Sequence, residues 1–251
     1  MIFIKDFFIS AAVVTYNNGE EAEKTIRLIL ENTKKYPLKL YVIDNHSTDD
    51  TPALLKNIEN ICFIRTDKNI GFGAAHNIAI KEGLGKYHFV INPDIEIKSD
   101  VLSSLTDFME QNTEVALSMP QILNTDGTIQ YLPKKKPTFK RLFLGRLSSK
   151  IRDEYVMKGE IGENVTEIDF CSGCFMCVKG EVFKNLHGFD KRYFMYLEDV
   201  DLTLRAKRFG KTVIVPKIGV YHAWQRDSAK NLKLLFIHTK SAFKFLAKRK
   251  F

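Results

Sequence analysis

Hydrophobic and polar positions follow a repeating pattern along the first half of the chain. Short apolar, β-favouring runs predict strands at about Phe7–Tyr16, Leu38–Ile43, Ile61–Arg65, Tyr87–Ile91 and Val115–Met119. Segments with helical periodicity between them predict helices at Glu20–Asn32, Pro52–Asn57 with Thr51 as N-cap, Ala74–Glu82 and Asp100–Gln111. Strands that alternate with helices predict an α/β fold with a mostly parallel sheet, whose ligands bind at the carboxyl ends of its strands.

The second half of the chain is less regular. A basic, apolar segment at Pro133–Lys150 precedes mixed strands and short helices, and an amphipathic helix is predicted at Leu232–Leu246. The lysines of this helix share the face opposite its apolar residues: Lys233, Lys240, Lys244 and Lys248. Such a helix either lies on an anionic membrane surface or packs on the domain, and the pattern leaves both open.

Composition and charge narrow the class of protein. The 251 residues are 45% hydrophobic and 27% charged, which is typical of a globular chain with a proper core. Asp6 interrupts the apolar N-terminal stretch, no cleavage site follows, and no run reaches the length of a membrane span, so we expect a cytoplasmic protein. The net charge of +8 is concentrated in part between Lys134 and Arg152, a segment without acids that either binds anions or is a solvated face.

Three of the four cysteines form the motif Cys171-x-x-Cys174-x-x-Cys177. This spacing occurs in zinc and iron–sulfur sites, but no second cysteine pair accompanies it. In a strand, a spacing of three directs Cys171 and Cys174 to opposite faces. We therefore predict buried, reduced thiols.

Polar clusters follow the first two predicted strands. Thr15-Tyr16-Asn17-Asn18 ends the first, and Asp44 begins the cluster after the second. An acid at a strand end can accept hydrogen bonds from a ribose or a base, which makes Asp44 a candidate ligand contact. Asp49 and Asp50 are better explained by turn formation and by the start of the following helix.

A glycine-bearing loop, Asn69-Ile70-Gly71-Phe72-Gly73, leads into the third predicted helix, whose first amides could meet a diphosphate. It differs from a dinucleotide fingerprint, because His76 stands at the third glycine position and the loop follows the third strand. A nicotinamide cofactor is therefore not expected.

The fourth predicted strand ends in Asn92-Pro93-Asp94, which is either a turn or part of a cation site. Hard divalent cations take oxygen ligands and often only one or two from protein. His222 ends a late strand, and a neutral imidazole there could complete the site. Trp224, two residues further on, either stacks on a sugar or packs in the core.

The acidic segment Glu198-Asp199-Val200-Asp201 precedes Arg205. If a helix begins near Glu198, its dipole favours ionised carboxylates, so Asp199 would serve as a proton acceptor. Asp201 and Arg205 are four residues apart, and an intrahelical ion pair is the favoured interpretation for them.

Taken in order, these segments resemble the family-2 glycosyltransferases with the GT-A fold, and look most like the rhamnosyltransferase-like branch that builds bacterial surface polysaccharides. The similarity covers nearly the whole chain. Its motifs are Val14-Thr15-Tyr16-Asn17, Val42-Ile43-Asp44-Asn45, Asn69–Gly73 with Asn77, Asn92-Pro93-Asp94, Gly188-Phe189-Asp190, Glu198–Leu202 and His222. The basic insert after Pro133 matches none of these motifs.

The resemblance implies a role for each motif. Nucleotide contacts are expected from Thr15, Tyr16, Asn17, Asp44, Asn69, Gly71, Gly73, Asn77 and Asn92. Asp94 and His222 are expected on Mg²⁺ or Mn²⁺, and Asp199 as the catalytic base. Glu198 and Trp224 are expected at the acceptor from their positions in the sequence. Asn92 departs from the family's aspartate-x-aspartate pattern, which leaves fewer charged ligands and makes His222 correspondingly more important.

The predicted organisation is a single GT-A domain over residues 1–251: a nucleotide-sugar half at 1–120, an acceptor and catalytic half at 121–228, and a basic helix at 229–251. The expected activity is metal-dependent, inverting transfer of a sugar such as rhamnose from a nucleoside-diphosphate sugar to a glycan or polyprenyl-linked acceptor, with an anionic membrane surface as a further partner. Two alternatives remain: a non-catalytic phosphate, membrane or nucleic-acid binding protein, and a sugar nucleotidyltransferase. Acidic strand ends would repel a nucleic acid, so none is expected as a partner.

Overall fold

The computed structural model describes residues 7–144, 148–223 and 232–248. Its strands are β1 (Ile9–Thr15), β2 (Leu38–Asp44), β3 (Ile61–Arg65), β4 (Tyr87–Ile91), β5 (Ile95–Glu96), β6 (Val115–Leu123), β7 (Thr166–Glu167), β8 (Phe175–Lys179) and β9 (Lys211–His222). Its helices are α1 (Gly19–Asn32), α2 (Thr51–Leu55), α3 (Phe72–His76), α4 (Ile78–Glu82), α5 (Val101–Gln111), α6 (Phe139–Phe143), α7 (Ser149–Tyr155), α8 (Gly180–Asn185), α9 (Glu198–Ala206) and α10 (Leu232–Ala247). The five predicted strands are all present.

Within the described ranges, the strands form one sheet in the order β3-β2-β1-β4-β8-β6-β9-β5, with β7 paired to β9. The first four strands are parallel, because helices cross over between them, and every residue of β1 is buried. Thr15 at the end of β1 is in register with Asp44 at the end of β2, and Asp44 with Arg65 of β3. The polar strand ends therefore meet at one edge of the sheet, as the sequence predicts.

Antiparallel strands extend this sheet into the second half of the chain. β8 runs antiparallel to both β4 and β6, and β9 pairs with the short β5 through Ile95 and His222. Asp94 directly precedes Ile95, so this pairing places His222 beside Asp94 although 128 residues separate them. The sheet is thus mixed: β1, β2, β3 and β4 form one parallel part, and β6 and β9 form a second parallel pair beyond β8.

Two predicted helices differ from the structure. The helix expected over Ala74–Glu82 is divided into α3 and α4 at Asn77, whose side chain is engaged by the main chain of Phe189. Thr51 is the first residue of α2, and the N-cap position is Asp50, so the predicted N-cap was wrong. Asp49 accepts a hydrogen bond from the Thr51 amide at 3.1 Å, which satisfies the amide at the start of the helix.

The cysteine motif is buried, and its three thiols are free. Only Cys177 belongs to a strand, since β8 begins at Phe175. Cys171 and Cys174 therefore do not lie on opposite faces of a strand, and that prediction was wrong. Both side chains are nevertheless in the main hydrophobic core.

The terminal helix α10 packs on the domain. Ala242 and Phe245 are buried in a cluster with Tyr193, Leu197 and Val200 from the region around the start of α9. Lys248, one of the four lysines of the predicted basic face, is only 15% exposed and forms ion pairs with Asp201 and Asp190, so its charge is used within the domain. No helix within the described residues has the length and hydropathy needed to cross a bilayer.

Candidate active site

A cleft of about 1040 Å³ opens at the carboxyl ends of β1 and β4. It brings together Tyr16, Asn17, Asn92 and Asp94 from the sheet end with Glu198, Asp199 and His222 from the second half. Residues far apart in the sequence thus share one cavity, as parallel strand ends in such folds allow. Trp224 lies outside the described residues.

Asp94 and His222 face each other in this cleft. The Oδ1 atom of Asp94 is 3.3 Å from Nε2 of His222, and the pair is largely buried. On its other side, His222 Nδ1 lies 3.2 Å from Oε1 of Gln130, whose Nε2 donates to the His222 carbonyl at 2.7 Å. Gln130 carries no sequence signal, because it follows a turn and belongs to none of the motifs.

These contacts determine where the imidazole proton lies. Because the Gln130 amide nitrogen is used by the His222 carbonyl, its oxygen faces Nδ1, and the network assigns the proton of a neutral ring to Nδ1. Nε2 then directs a lone pair toward Asp94 Oδ1, which is buried without a hydrogen-bond donor. In the neutral form of the ring these two acceptors repel each other, and a proton or a metal cation between them would remove the repulsion.

The residues therefore fit a divalent cation. Within the described part of the chain, no group of three or more histidine, cysteine or acidic side chains is placed to hold a metal. A carboxylate and an imidazole would supply two ligands, and the remaining ones would come from a bound phosphate or water, as is common for Mg²⁺ sites.

Asp199 lies in the first turn of α9, immediately after a strained segment. Tyr196 and Leu197 both have left-handed backbone conformations, with φ of 71° and 66°, which costs on the order of 1–3 kcal/mol per residue. The Oδ2 atom of Asp199 accepts from the Gly173 amide at 3.1 Å, and Oδ1 accepts from the Val200 amide at 2.8 Å. The carboxylate is thereby held in one orientation toward the cleft.

The electrostatics of this acidic pair differ from the sequence expectation. Burial raises the pKa of Asp199, and the amides of Gly173 and Val200 together with Lys134 only partly oppose that rise. Burial and the neighbouring Asp199 raise the pKa of Glu198 well above the usual range, and Glu198 Oε2 has no hydrogen-bond partner. Desolvation thus outweighs the helix dipole, and Asp199 is a stronger base than an exposed aspartate.

The predicted ion pair between Asp201 and Arg205 is present, with Arg205 Nε 2.7 Å from a fully buried Asp201 carboxylate. Lys248, the residue directly after α10, also binds Asp201, which the sequence did not indicate. Arg205 donates further to the carbonyls of Leu186 and Gly188. Asp201 therefore ties α9 to α10 and to the loop after α8.

The polar residues at the end of β1 organise the neighbouring loop. Thr15 is buried and donates to the Asn18 side chain. Asn17, with a left-handed φ of 56°, donates from its amide to Ser47 and accepts from the Thr48 amide at 2.8 Å. Tyr16 and Asn17 are the predicted nucleotide contacts that this segment presents to the cleft.

Asp44 and Asn69 are used within the strand-end loops. Asp44 is fully buried, accepts from the Ser47 amide at 3.0 Å and pairs with Arg65 Nε at 3.1 Å. Asn69 accepts from the Gly71 amide and from the side chain of Asn45. Arg65 was not singled out in the sequence, because a lone arginine at the end of a strand forms no motif.

Gly71, Gly73 and Asn77 connect α3 to the loop before α9. A Cβ atom at Gly71, which has a φ of 87°, would lie 2.3 Å from the Phe194 carbonyl oxygen, and a Cβ at Gly73 would lie 2.6 Å from Phe189. The Asn77 side chain accepts from the amide of Phe189 and donates to its carbonyl, both at 2.8 Å. These residues do not line the cleft; they hold the segment that precedes Asp199.

The basic insert supplies cations to the same cleft. Lys134, Arg141 and Arg152 line it, together with Tyr131 and Tyr155. The sequence showed the charge of this segment but not its position, because nothing in the pattern indicated that α6 and α7 would fold back toward the active-site end of the sheet.

Comparisons with known proteins identify the family and the fold. A family model described as Glycosyl transferase family 2 matches residues 10–186. The N-acetylglucosaminyl-diphospho-decaprenol L-rhamnosyltransferase of Mycobacterium tuberculosis (strain CDC 1551 / Oshkosh) is 29% identical, covering 94% of this chain and 83% of that protein. Rhamnosyltransferase WbbL of Escherichia coli (strain K12) is 26% identical, with 95% and 92% covered.

Among solved structures, GalNAc-T7 with UDP, GalNAc and Mn²⁺ superposes with a TM-score of 0.65 at 16% identity, over 87% of this chain and 44% of that one. The present chain thus spans less than half of that protein, and this likeness concerns the fold, which is GT-A. Since the family model covers most of the chain, and similar proteins over nearly its full length are rhamnosyltransferases, this glycosyltransferase belongs to glycosyl transferase family 2.

Proposed function

We propose that this enzyme transfers a sugar, with rhamnose as the first candidate, from a nucleoside-diphosphate sugar to a glycan or lipid-linked acceptor, with inversion at the anomeric carbon. The observation that carries the proposal is the single cleft that holds a fixed, basic Asp199 together with the facing pair Asp94 and His222. The similar proteins named above support the sugar and the acceptor class. Family membership favours this activity over both alternatives considered from the sequence.

Asp199 is the base in the proposed reaction. Its carboxylate takes the proton of the acceptor hydroxyl while that oxygen attacks the anomeric carbon from the face opposite the nucleoside diphosphate. A raised pKa suits this role, because a general base works best when its pKa lies near the working pH. Glu198, beside it, would contact the acceptor, and Trp224 remains a proposed acceptor contact.

Asp94 and His222 would hold Mg²⁺ or Mn²⁺, and when bound this cation stabilises the negative charge that develops on the departing diphosphate. Gln130 holds the proton of the neutral His222 ring on Nδ1, which leaves the lone pair of Nε2 for the cation beside Asp94. Tyr16, Asn17 and Asn92 would contact the nucleotide directly. Six further residues stay proposed nucleotide contacts, although their hydrogen bonds and packing favour a role in shaping the loops. They are Thr15, Asp44, Asn69, Gly71, Gly73 and Asn77.

The base is tested with Asp199→Asn. We expect nucleotide binding to be retained and transfer to fall by roughly two to four orders of magnitude, the usual contribution of general base catalysis. Asp169→Asn is the matched control, since Asp169 is a half-exposed aspartate that pairs with Lys207 away from the cleft. Near-normal turnover of Asp199→Asn would remove Asp199 from this role.

The cation site is tested with the double variant Asp94→Ala/His222→Ala. Calorimetry with and without Mn²⁺, using the nucleoside diphosphate that gives the largest thermal shift in a panel, should show that metal-dependent binding is lost. Unchanged binding in the double variant would dismiss the site.

We further propose that the enzyme rests on an anionic membrane surface through α6 and α10. Phe139 stacks with Phe143 and Phe143 with Phe243, at ring distances of 4.8 and 5.7 Å, and Phe236 and Phe243 are 70% and 58% exposed. Exposed aromatics in a basic region are typical of interfacial binding. Co-sedimentation with phosphatidylglycerol vesicles should fall in Phe236→Ser/Phe243→Ser but not in Phe209→Ser, which is exposed elsewhere; equal loss in both would contradict the proposal.

A further inference from the structure

The cleft carries charges of opposite sign on different segments. The strand ends and α9 contribute Asp94, Glu198 and Asp199, whereas the lining residues between 131 and 156, here called the insert wall, contribute Lys134, Arg141 and Arg152 and no acid. An acidic region needs a cation to hold a phosphate, but a basic one binds it directly. The cleft therefore has a second place for an anion, separate from Asp94 and His222.

Lys134 is the residue of the insert wall whose surroundings most favour a bound anion. Its Nζ atom lies 4.8 Å from the centre of the Phe170 ring and 5.8 Å from that of Tyr155, which holds the ammonium by cation–π contacts. Among the described residues Lys134 forms no ion pair, and the carboxylate whose charge acts on it is Asp199. Burial lowers the pKa of Lys134, a cost that a bound anion would offset.

The two arginines of the wall differ in how they are paired. Arg141 binds Glu154 at 3.0 Å and the Lys136 carbonyl, so it joins α6 to α7. Arg152 is 61% exposed, and the closest carboxylate, on the adjacent Asp153, is 3.7 Å away. The guanidinium of Arg152 is thus available to a ligand, and a guanidinium matches the two oxygens of a phosphate.

An apolar route leads from this wall to the surface. Leu142 lines the cleft and packs in the same cluster as Phe143, which contacts both Phe139 and Phe243. Phe139 and Phe243 are 60% and 58% exposed. A ligand with an anionic group at Lys134 and an apolar tail could therefore extend along side chains of matching polarity.

We infer that the insert wall is the binding site for the diphosphate of a lipid-linked acceptor, a polyprenyl-diphosphate sugar, with Lys134 and Arg152 on the phosphates and Leu142 and Phe143 along the start of the chain. This inference rests on the proposed function and specifies its acceptor. The acceptor diphosphate binds without a metal ion, whereas the donor diphosphate depends on one at Asp94 and His222.

The metal requirement separates the two sites experimentally. Farnesyl diphosphate and inorganic pyrophosphate are titrated into the protein in buffer with EDTA, and a nucleoside diphosphate is titrated in parallel in buffer with Mn²⁺. Each titration measures a binding affinity. The variants are Lys134→Gln, Arg152→Gln and their combination, with Lys150→Gln as the matched control, since Lys150 is an exposed cation of α7 that does not line the cleft. Lys134→Arg tests whether restored charge restores binding, and thermal melts verify folding.

We expect wild type to bind farnesyl diphosphate in EDTA more tightly than pyrophosphate. Each single variant should weaken that binding roughly tenfold, as loss of a charged hydrogen bond does. Lys150→Gln should bind like wild type, and nucleotide binding with Mn²⁺ should persist throughout.

Three results would overturn the inference: no binding of farnesyl diphosphate in EDTA, equal binding by the double variant, or equal affinity for pyrophosphate, which would indicate a free-phosphate site. Loss of nucleotide binding in the lysine and arginine variants would assign the wall to the donor instead. If wild type binds no nucleotide with Mn²⁺, that result counts against the proposed function. The titrations in EDTA then test the insert wall independently of it.

Discussion

Gln130→Leu tests how the active site selects one tautomer of His222. The glutamine is 4% exposed and makes two hydrogen bonds to His222, one to Nδ1 at 3.2 Å and one to its carbonyl at 2.7 Å. Leucine keeps most of the volume but removes both bonds. The proton of the ring is then free to move to Nε2, which would abolish the lone pair that faces Asp94.

The expected magnitude has two parts. Loss of a partner behind a metal-binding histidine weakens metal affinity roughly 10–100-fold, or about 1.4–2.7 kcal/mol. Two lost hydrogen bonds of about 0.5–1.5 kcal/mol each lower the free energy of unfolding by about 1–3 kcal/mol. Only the first effect is specific to the proposed cation site.

Gln121→Leu serves as the matched control. Gln121 is 8% exposed and its side chain donates only to the Ile122 carbonyl, at 3.2 Å. Both variants are measured by urea unfolding and by calorimetry of Mn²⁺-dependent nucleoside diphosphate binding. If Gln130→Leu binds the nucleotide with the Mn²⁺ dependence of wild type, or is weakened no more than Gln121→Leu, the argument about the tautomer is refuted.

Three further predictions concern α9 and its surroundings. Asp201→Ala leaves Arg205 and Lys248 without their buried partner and should lower the free energy of unfolding by about 3–5 kcal/mol in urea; a change below about 1 kcal/mol would contradict this. Gly71→Ala should lower the melting temperature more than Gly159→Ala, because both glycines have positive φ but only Gly71 has an atom within 4 Å of the added Cβ; equal shifts would exclude the steric effect. Burial raises the pKa of Asp199 above the ordinary aspartate value of 3.8, and the base acts when deprotonated, so kcat/KM should fall with decreasing pH at an apparent pKa above 3.8. An acidic limb at or below that value would contradict the assignment of Asp199 as the base.

The sequence determined the parallel part of the fold and the main catalytic candidates. The strands predicted at Ile61–Arg65 and Tyr87–Ile91 match β3 and β4. They could be predicted because the pattern of apolar residues and the polar residues at its ends lie within one short stretch of sequence. The ion pair between Asp201 and Arg205 was equally readable, since a spacing of four places both on one helical face. Order and spacing of the motifs also indicated the family.

Tertiary structure alone decided the electrostatics of Asp199 and the surroundings of Asp94, His222 and Lys134. The pairing of β5 with β9 sets the distance between Asp94 and His222. The pairing of β6 with β9, and the return of the chain along the end of β6, bring Gln130 behind the imidazole. The pKa of Asp199 rises because its surroundings bury it, which outweighs the helix dipole that sequence position predicts. The sequence shows only the charge of the basic insert, whereas the bridge between Lys134 and Phe170 and the positions of α6 and α7 bring Lys134, Arg141 and Arg152 to the cleft. Each of these features depends on contacts between residues distant in the chain, and a local pattern does not encode which of them will meet.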